Sequence, residues 1–261
     1  MKIEEKVVPV SRSIWEHSQT VVVGKVSCAV RTVGTGSREV VLIHGIGVSA
    51  RYFEPLAERL ARTSTVHAIE LPGFGSLPAP RRRLTVEEFG AIAAQVMRVL
   101  GVSDAVVVGH SMGSQVATEA VLAAPDLASR LVLLAPTIND QERTVRTQMV
   151  RLAQDTMRES PVANYIVVSD YLRAGMRWYL LTLPSMMEHR LEEALPKVTC
   201  PVTLVRGSLD PVVPADWLHR LAAVGQQVTT GEIQGEPHVM MYRSPEPTAR
   251  YVLNEMSHAA G

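Results

Sequence analysis

The chain has 261 residues, enough to bury a substantial core in one domain, or in one domain carrying an insertion. Hydrophobic residues make up 46% and charged residues 20%, the balance of a folded soluble protein. A formal net charge of +0 argues against nucleic acid or an anionic membrane as the main partner, and two cysteines, Cys28 and Cys200, without Cys-x-x-Cys spacing make no disulfide framework.

The opening Met1-Lys2-Ile3-Glu4-Glu5-Lys6 carries acidic residues and leads into no apolar stretch of signal-peptide length. No run reaches the roughly 18 to 20 apolar residues of a membrane span, so a cytoplasmic location is expected. Thr20 to Val23 and Val26 to Arg31 read as strands split at Gly24, and Gly34-Thr35-Gly36-Ser37 as a turn. Val40 to Ile43 is a continuous apolar run, as expected of a strand buried on both faces of a mainly parallel sheet. His44-Gly45-Ile46-Gly47 is the loop after it, and Phe53, Leu56, Ala57 and Leu60 carry helical spacing over 51–60. Thr65 to Leu71 is the next strand and runs into Pro72-Gly73-Phe74-Gly75-Ser76. Arg81-Arg82-Arg83 reads as a solvated turn. Thr85, with Glu88 three residues on, marks a capping box for a helix that runs to about Leu100 and stops at Gly101.

Asp104 to Val108 is a strand, and Val116, Ala117, Ala120, Val121 and Ala124 continue beyond it with helical spacing. Between them stands Gly109-His110-Ser111-Met112-Gly113, a G-x-S-x-G nucleophile elbow. So tight a turn strains the serine backbone and lifts its hydroxyl clear of the sheet, and side chains two residues to either side would collide. Arg130 to Leu134 is another strand. From there to about Pro196 the alternation stops, and helical stretches follow over 144–158, 161–173, 174–183 and 186–194. Cys200 to Val205 restarts the sheet, Ala215 to Ala223 is a helix, Gln227 to Glu232 the last strand, and Pro245 to Ser257 a closing helix. Alternating strands and helices indicate an α/β fold with a parallel sheet. In such sheets ligands bind outside the carboxyl ends of the strands, where His44, Ser111, Asp210 and His238 all fall.

The elbow, the His44-Gly45-Ile46-Gly47 loop, Asp210 in Gly207-Ser208-Leu209-Asp210-Pro211, and His238 in Gly235-Glu236-Pro237-His238 resemble, in this order, the α/β-hydrolase family, over nearly the whole chain. The resemblance implies a core of residues 1–135 and 196–261 with a helical cap of residues 136–195 inserted over the active site. It makes Ser111 the nucleophile, His238 the base and Asp210 the acid that orients it, with Asp140 as the competing acid. The backbone N–H groups of Ile46 and Met112 become the oxyanion donors. His44 braces its loop, and His110 points away from Ser111. Glu70 departs from the usual Asp of the family's D-x-P-G-x-G-x-S turn, a part that shapes the core rather than the chemistry. Among the cap's apolar residues, which include Met149, Met157, Met176, Tyr179 and Leu183, the expected pocket residues are Trp178, Met186 and Met187.

The implied activity is that of a cofactor-free serine hydrolase acting on a small apolar acyl compound, a carboxylic ester first. No His-Glu-x-x-His or clustered ligand spacing suggests a metal. Serine at the elbow excludes the aspartate-nucleophile branches, haloalkane dehalogenases and epoxide hydrolases. Carbon–carbon hydrolases of the meta-cleavage type, thioesterases, lactonases and perhydrolases share the triad, and some non-catalytic binding proteins of the fold retain it.

Overall fold

The computed structural model describes residues 3–5 and 14–255. Among them, nine strands form one sheet in the order β1-β2-β3-β5-β4-β6-β7-β8-β9. β1 (Ile3–Glu5), β2 (His17–Val23) and β3 (Val26–Val33) make an antiparallel margin, and β3 joins the body of the sheet antiparallel to β5. β2 starts at His17 rather than Thr20, because His17, Ser18 and Gln19 pair with Thr32, Arg31 and Val30. Its polar start carries no alternation that would mark it in the sequence.

The body is parallel: β4 (Arg38–Ile43), β5 (Ser64–Glu70), β6 (Ala105–His110), β7 (Ala128–Leu134), β8 (Val202–Gly207) and β9 (Val228–Ile233). Every residue of β6 and β8 is buried, as two covered faces require. The chain leaves β4 through α1 (Glu54–Leu60) to β5 on one side, then returns through α2 (Val86–Leu100) to β6 on the other. Right-handed crossovers in opposite directions set α1 and α2 on opposite faces of the sheet. The direction of winding therefore reverses at β4, and a crevice opens between the carboxyl ends of β4 and β6. α2 starts at the Thr85–Glu88 capping box and ends at Gly101, whose φ is 71°.

α3 (Met112–Ala123) packs on α2. Between β7 and β8 stand α4 (Val145–Thr156), α5 (Pro161–Ala174), α6 (Met176–Glu188) and the short α7 (Leu191–Ala194). α8 (Ala215–Val224) separates β8 from β9, and α9 (Met240–Arg243) and α10 (Pro245–Leu253) close the described chain. α10 stops before the expected Ser257. Asn254 takes the left-handed conformation, φ 60°, and its N–H caps the carbonyls of Arg250 and Tyr251. Met256 and Ser257 lie outside the described residues. Among the described residues, no helix is long and apolar enough to cross a membrane.

Candidate active site

The crevice between β4 and β6 is filled by the elbow. Ser111 holds φ 56° and ψ −124°, a conformation that residues with a β-carbon rarely adopt. It stays there because the turn is packed on all sides. A Cβ on Gly113 would sit 2.2 Å from the Ile43 carbonyl oxygen and 2.6 Å from that of His44, and one on Gly109 would sit 2.2 Å from the Gly113 carbonyl. These neighbours are backbone and cannot rotate away. Gly113→Ala is therefore expected to cost at least the 1–3 kcal/mol typical of core overpacking, roughly, and to lower the melting temperature accordingly. A thermal melt indistinguishable from the parent would show that the turn has slack.

Two further side chains reach the crevice from later strand ends. Asp210 follows β8 and His238 follows β9, and His238 Nδ1 lies 2.8 Å from Asp210 Oδ2. The other carboxylate oxygen of Asp210 accepts from the backbone N–H of Val212 at 2.7 Å and of Val213 at 3.2 Å. One oxygen is thus committed to the backbone and the other to the imidazole, which fixes the carboxylate plane. Asp140 is placed elsewhere: it accepts from Arg220 at 2.7 Å. His238 Nε2 is buried without a partner, and Ser111 and His238 line the same cavity.

His44 and His110 hold the frame. His44 Nε2 accepts from the Leu71 N–H at 3.0 Å, so its proton is on Nδ1, which donates to the Gly45 carbonyl at 2.7 Å. Burial drops its pKa to about 4, so it stays neutral. A longer relay runs through His110. The Gly45 N–H donates to the Tyr52 hydroxyl at 2.9 Å, that hydroxyl donates to His110 Nδ1 at 2.9 Å, and His110 Nε2–H donates to the His238 carbonyl at 3.0 Å. Burial, then the neighbouring His238, holds His110 well below the usual imidazole range. One neutral chain of donors so links the loop after β4, the elbow and the backbone of His238.

Asp155 of α4 and Glu159 just beyond it are site residues that the sequence reading missed. Asp155 Oδ1 accepts from the His238 N–H at 2.9 Å, and Glu159 Oε1 accepts from the Val239 N–H at 2.7 Å. Both are buried, and Glu159 Oε2 has no partner. Burial pushes Asp155 up to about 6, with the Asp210 charge adding to it, and Glu159 up to about 7, with the Asp155 charge adding to it. The same charges act on His238. Burial pulls it down, but Asp210, Asp155 and Glu159 outweigh burial and hold it at about 9. A signal did exist in the sequence. Gln148, Leu152, Asp155 and Glu159 recur at helical spacing, and all line the cavity.

The cavity measures about 130 Å³. Its floor is Gly45, Ile46, Ser111 and His238, and α4, α5 and Met186 of α6 roof it. Thr156 and Val168, also in its wall, are exposed, so the mouth opens between the end of α4 and α5. α5 is fastened beside it: Ser49 Oγ donates to Asp170 at 2.6 Å, and Arg51 Nη1 donates to the same carboxylate at 3.0 Å. Ile46 lines the cavity, and its N–H has no acceptor among the described residues. Met112 is buried and opens α3, so its N–H has no acceptor within the helix.

Two of the expected pocket residues are corrected. Trp178 is buried against Gly73 and Phe74, where it anchors α6 to the loop after β5 and does not line the cavity. Met187 is partly buried against the core and does not line the cavity either. Met149, Met157 and Met176 point to solvent instead of roofing the cavity. Away from the cavity, Glu87, Glu119 and His189 bring ligand-type atoms within 4.8 Å of one another, with His189 Nε2 bonded to Glu119 at 2.8 Å.

The model of the "Alpha/beta hydrolase family" matches residues 40–251. The 2-(acetamidomethylene)succinate hydrolase of Mesorhizobium japonicum is 24% identical, over 91% of this chain and 94% of its own. A pimeloyl-[acyl-carrier protein] methyl ester esterase of Yersinia pseudotuberculosis is 22% identical, over 85% of this chain and 95% of its own. The solved structure of Est816, described as an N-acyl homoserine lactone degrading enzyme, superposes with a TM-score of 0.80 at 17% identity, over 91% of this chain and all 100% of that one. The match spans Ser111, Asp210 and His238 along with five parallel strands after β4, and the chain belongs to the alpha/beta hydrolase family.

Proposed function

We propose that the chain is a serine hydrolase that cleaves an ester of an apolar carboxylic acid through an acyl-enzyme on Ser111. The observation that carries this reading is the Asp210–His238 pair, with its open Nε2, in one cavity with the strained Ser111. Ser111 Oγ attacks the acyl carbon as its proton passes to His238 Nε2. The resulting oxyanion is received by the N–H groups of Ile46 and Met112, at the positive end of α3. The intermediate collapses, the bond to the leaving oxygen breaks, and His238 returns the proton so that an alcohol departs. Water, deprotonated by His238, then attacks the acyl carbon and releases the acid. Asp210 holds the Nδ1–H tautomer and stabilises the imidazolium.

Residues 136–195 act as the cap in this reading, with Asp155 and Glu159 bracing the segment that carries His238. Ile46, Val48, Leu152, Val167, Val168 and Met186 give the cavity an apolar wall, and among the described residues no Lys or Arg lines it. A dicarboxylate such as the succinates named for one relative finds no guanidinium or ammonium group there, which supports a neutral, apolar acyl group. The direct test is turnover of p-nitrophenyl esters of increasing acyl length, alongside labelling by a fluorophosphonate. Steady turnover with a chain-length optimum is expected. No turnover and no labelling would sink the reading.

The pH profile tests the acidic surroundings of His238. Neutral imidazole is the base, so raising its pKa withholds the active form until alkaline pH. The rising limb of kcat/KM is expected near 9 rather than near the ordinary imidazole value of about 6.5. Glu159→Gln keeps an acceptor for the Val239 N–H and removes a negative charge, so it should move the limb to lower pH. A parent limb near the ordinary value, or no movement in the variant, would overturn the electrostatic role.

A further inference from the structure

Of the exposed large hydrophobic side chains among the described residues, all but Leu209 and Val224 lie between Val145 and Leu181. α5 shows why this is not scatter. One face buries Ala163, Ile166 and Asp170 against the rest of the molecule. The opposite face presents Val162, Tyr165, Val168 and Leu172 at helical spacing, with Leu172 75% exposed. A helix that is apolar on both faces has a second partner to meet. Met176 and Leu180 of α6 extend the stripe.

The exposed charges of residues 143–181 are of one sign. The carboxylates of residues 143–181 are Asp155, Glu159 and Asp170, and all are buried. Arg146, Arg158 and Arg177 are exposed, and no carboxylate lies within ion-pair distance of them among the described residues. The formal net charge of +0 for the whole chain conceals this segregation. A second copy of the chain fits poorly, because a two-fold contact sets the patch against itself and brings arginine to arginine. An anionic lipid surface supplies both halves of the complement: acyl chains for the apolar stripe and phosphates for the guanidiniums.

We propose that the outer face of α5 and α6 docks on an anionic lipid surface and seats the cavity mouth at that interface. Val168 belongs both to the exposed stripe and to the cavity wall, so an apolar path runs from the docking face towards Ser111. The docking stands apart from the hydrolytic reading; only delivery of an acyl substrate along that path rests on it.

The test is co-sedimentation of the whole chain with vesicles of phosphatidylcholine, with and without phosphatidylglycerol. The chain should pellet with the anionic vesicles and be released from them by high salt. Leu172→Asp and Tyr165→Asp should each weaken binding about tenfold or more, and Arg177→Glu at least about fivefold. Hydrolysis of a dissolved short ester should be unchanged in all three, since none of these residues lines the cavity. The proposal fails if the parent chain stays in the supernatant with anionic vesicles, or if Arg177→Glu leaves binding intact. It also fails if sedimentation velocity shows a dimer that Leu172→Asp dissociates, which would give the face to a second copy.

Discussion

Ser111→Ala is expected to abolish turnover, by about a million-fold in kcat if the three residues act as one unit. The size follows from what is removed. Without Oγ there is no nucleophile for His238 to activate and no acyl-enzyme to form. What survives is the polarisation offered by Ile46 and Met112. The fold should not register the change. Alanine keeps the β-carbon and with it the strained backbone at φ 56°, and Ser111 is only half-buried, so little packing goes with the oxygen. Circular dichroism and the melting temperature should match the parent, while fluorophosphonate labelling disappears. A variant that turns over near the parental rate would remove Ser111 from the mechanism.

Asp210→Asn should cost about ten thousand-fold in kcat/KM, and the local geometry says how. Oδ1 of Asp210 accepts two backbone N–H groups, from Val212 and Val213. An asparagine must keep its carbonyl oxygen there, which turns its NH₂ towards His238. Nδ1 then becomes an acceptor, and the imidazole proton is forced to Nε2, the nitrogen that must take the proton of Ser111. The variant therefore folds with the wrong tautomer. Asp140→Asn, by contrast, removes only a pairing with Arg220 and should change the rate less than about twofold. If the two variants exchange their effects, the acid is misplaced.

The legible parts of this chain were those where backbone sterics dictate residue type. Gly109 and Gly113 flank Ser111 because carbonyl oxygens stand 2.2 Å from where their β-carbons would be, and so tight a constraint appears directly as a motif. The buried parallel strands were equally plain, since two covered faces make an uninterrupted apolar run of Val40 to Ile43. β2 hid its start because its first residues, His17, Ser18 and Gln19, are polar and lie at the margin of the sheet. The helices between β7 and β8 were the least legible. Their apolar residues point both inward and outward, so hydrophobicity alone does not separate Met186 in the cavity wall from Met149 or Met157 in solvent. Trp178 looked like a roof because it is large, but its ring is spent on joining α6 to Gly73 and Phe74. Asp155 and Glu159 were overlooked for a complementary reason: a carboxylate on a helix reads as a solvated charge unless its neighbours in the stripe are weighed with it.

The brace that Asp155 and Glu159 place on the segment carrying His238 makes one part serve as both door and doorpost. The mouth lies beside α4, and α4 also holds the backbone of the base in register. Any excursion of α4 that widens the opening withdraws two hydrogen bonds from the segment that carries the histidine it uncovers. Admission and competence therefore oppose each other. A bulky substrate is penalised twice, once for the space it needs and again for the machinery it leaves unassembled. Selectivity for slim acyl groups would then be written in the rate of the chemical step as well as in binding, without a single side chain that contacts the substrate being changed.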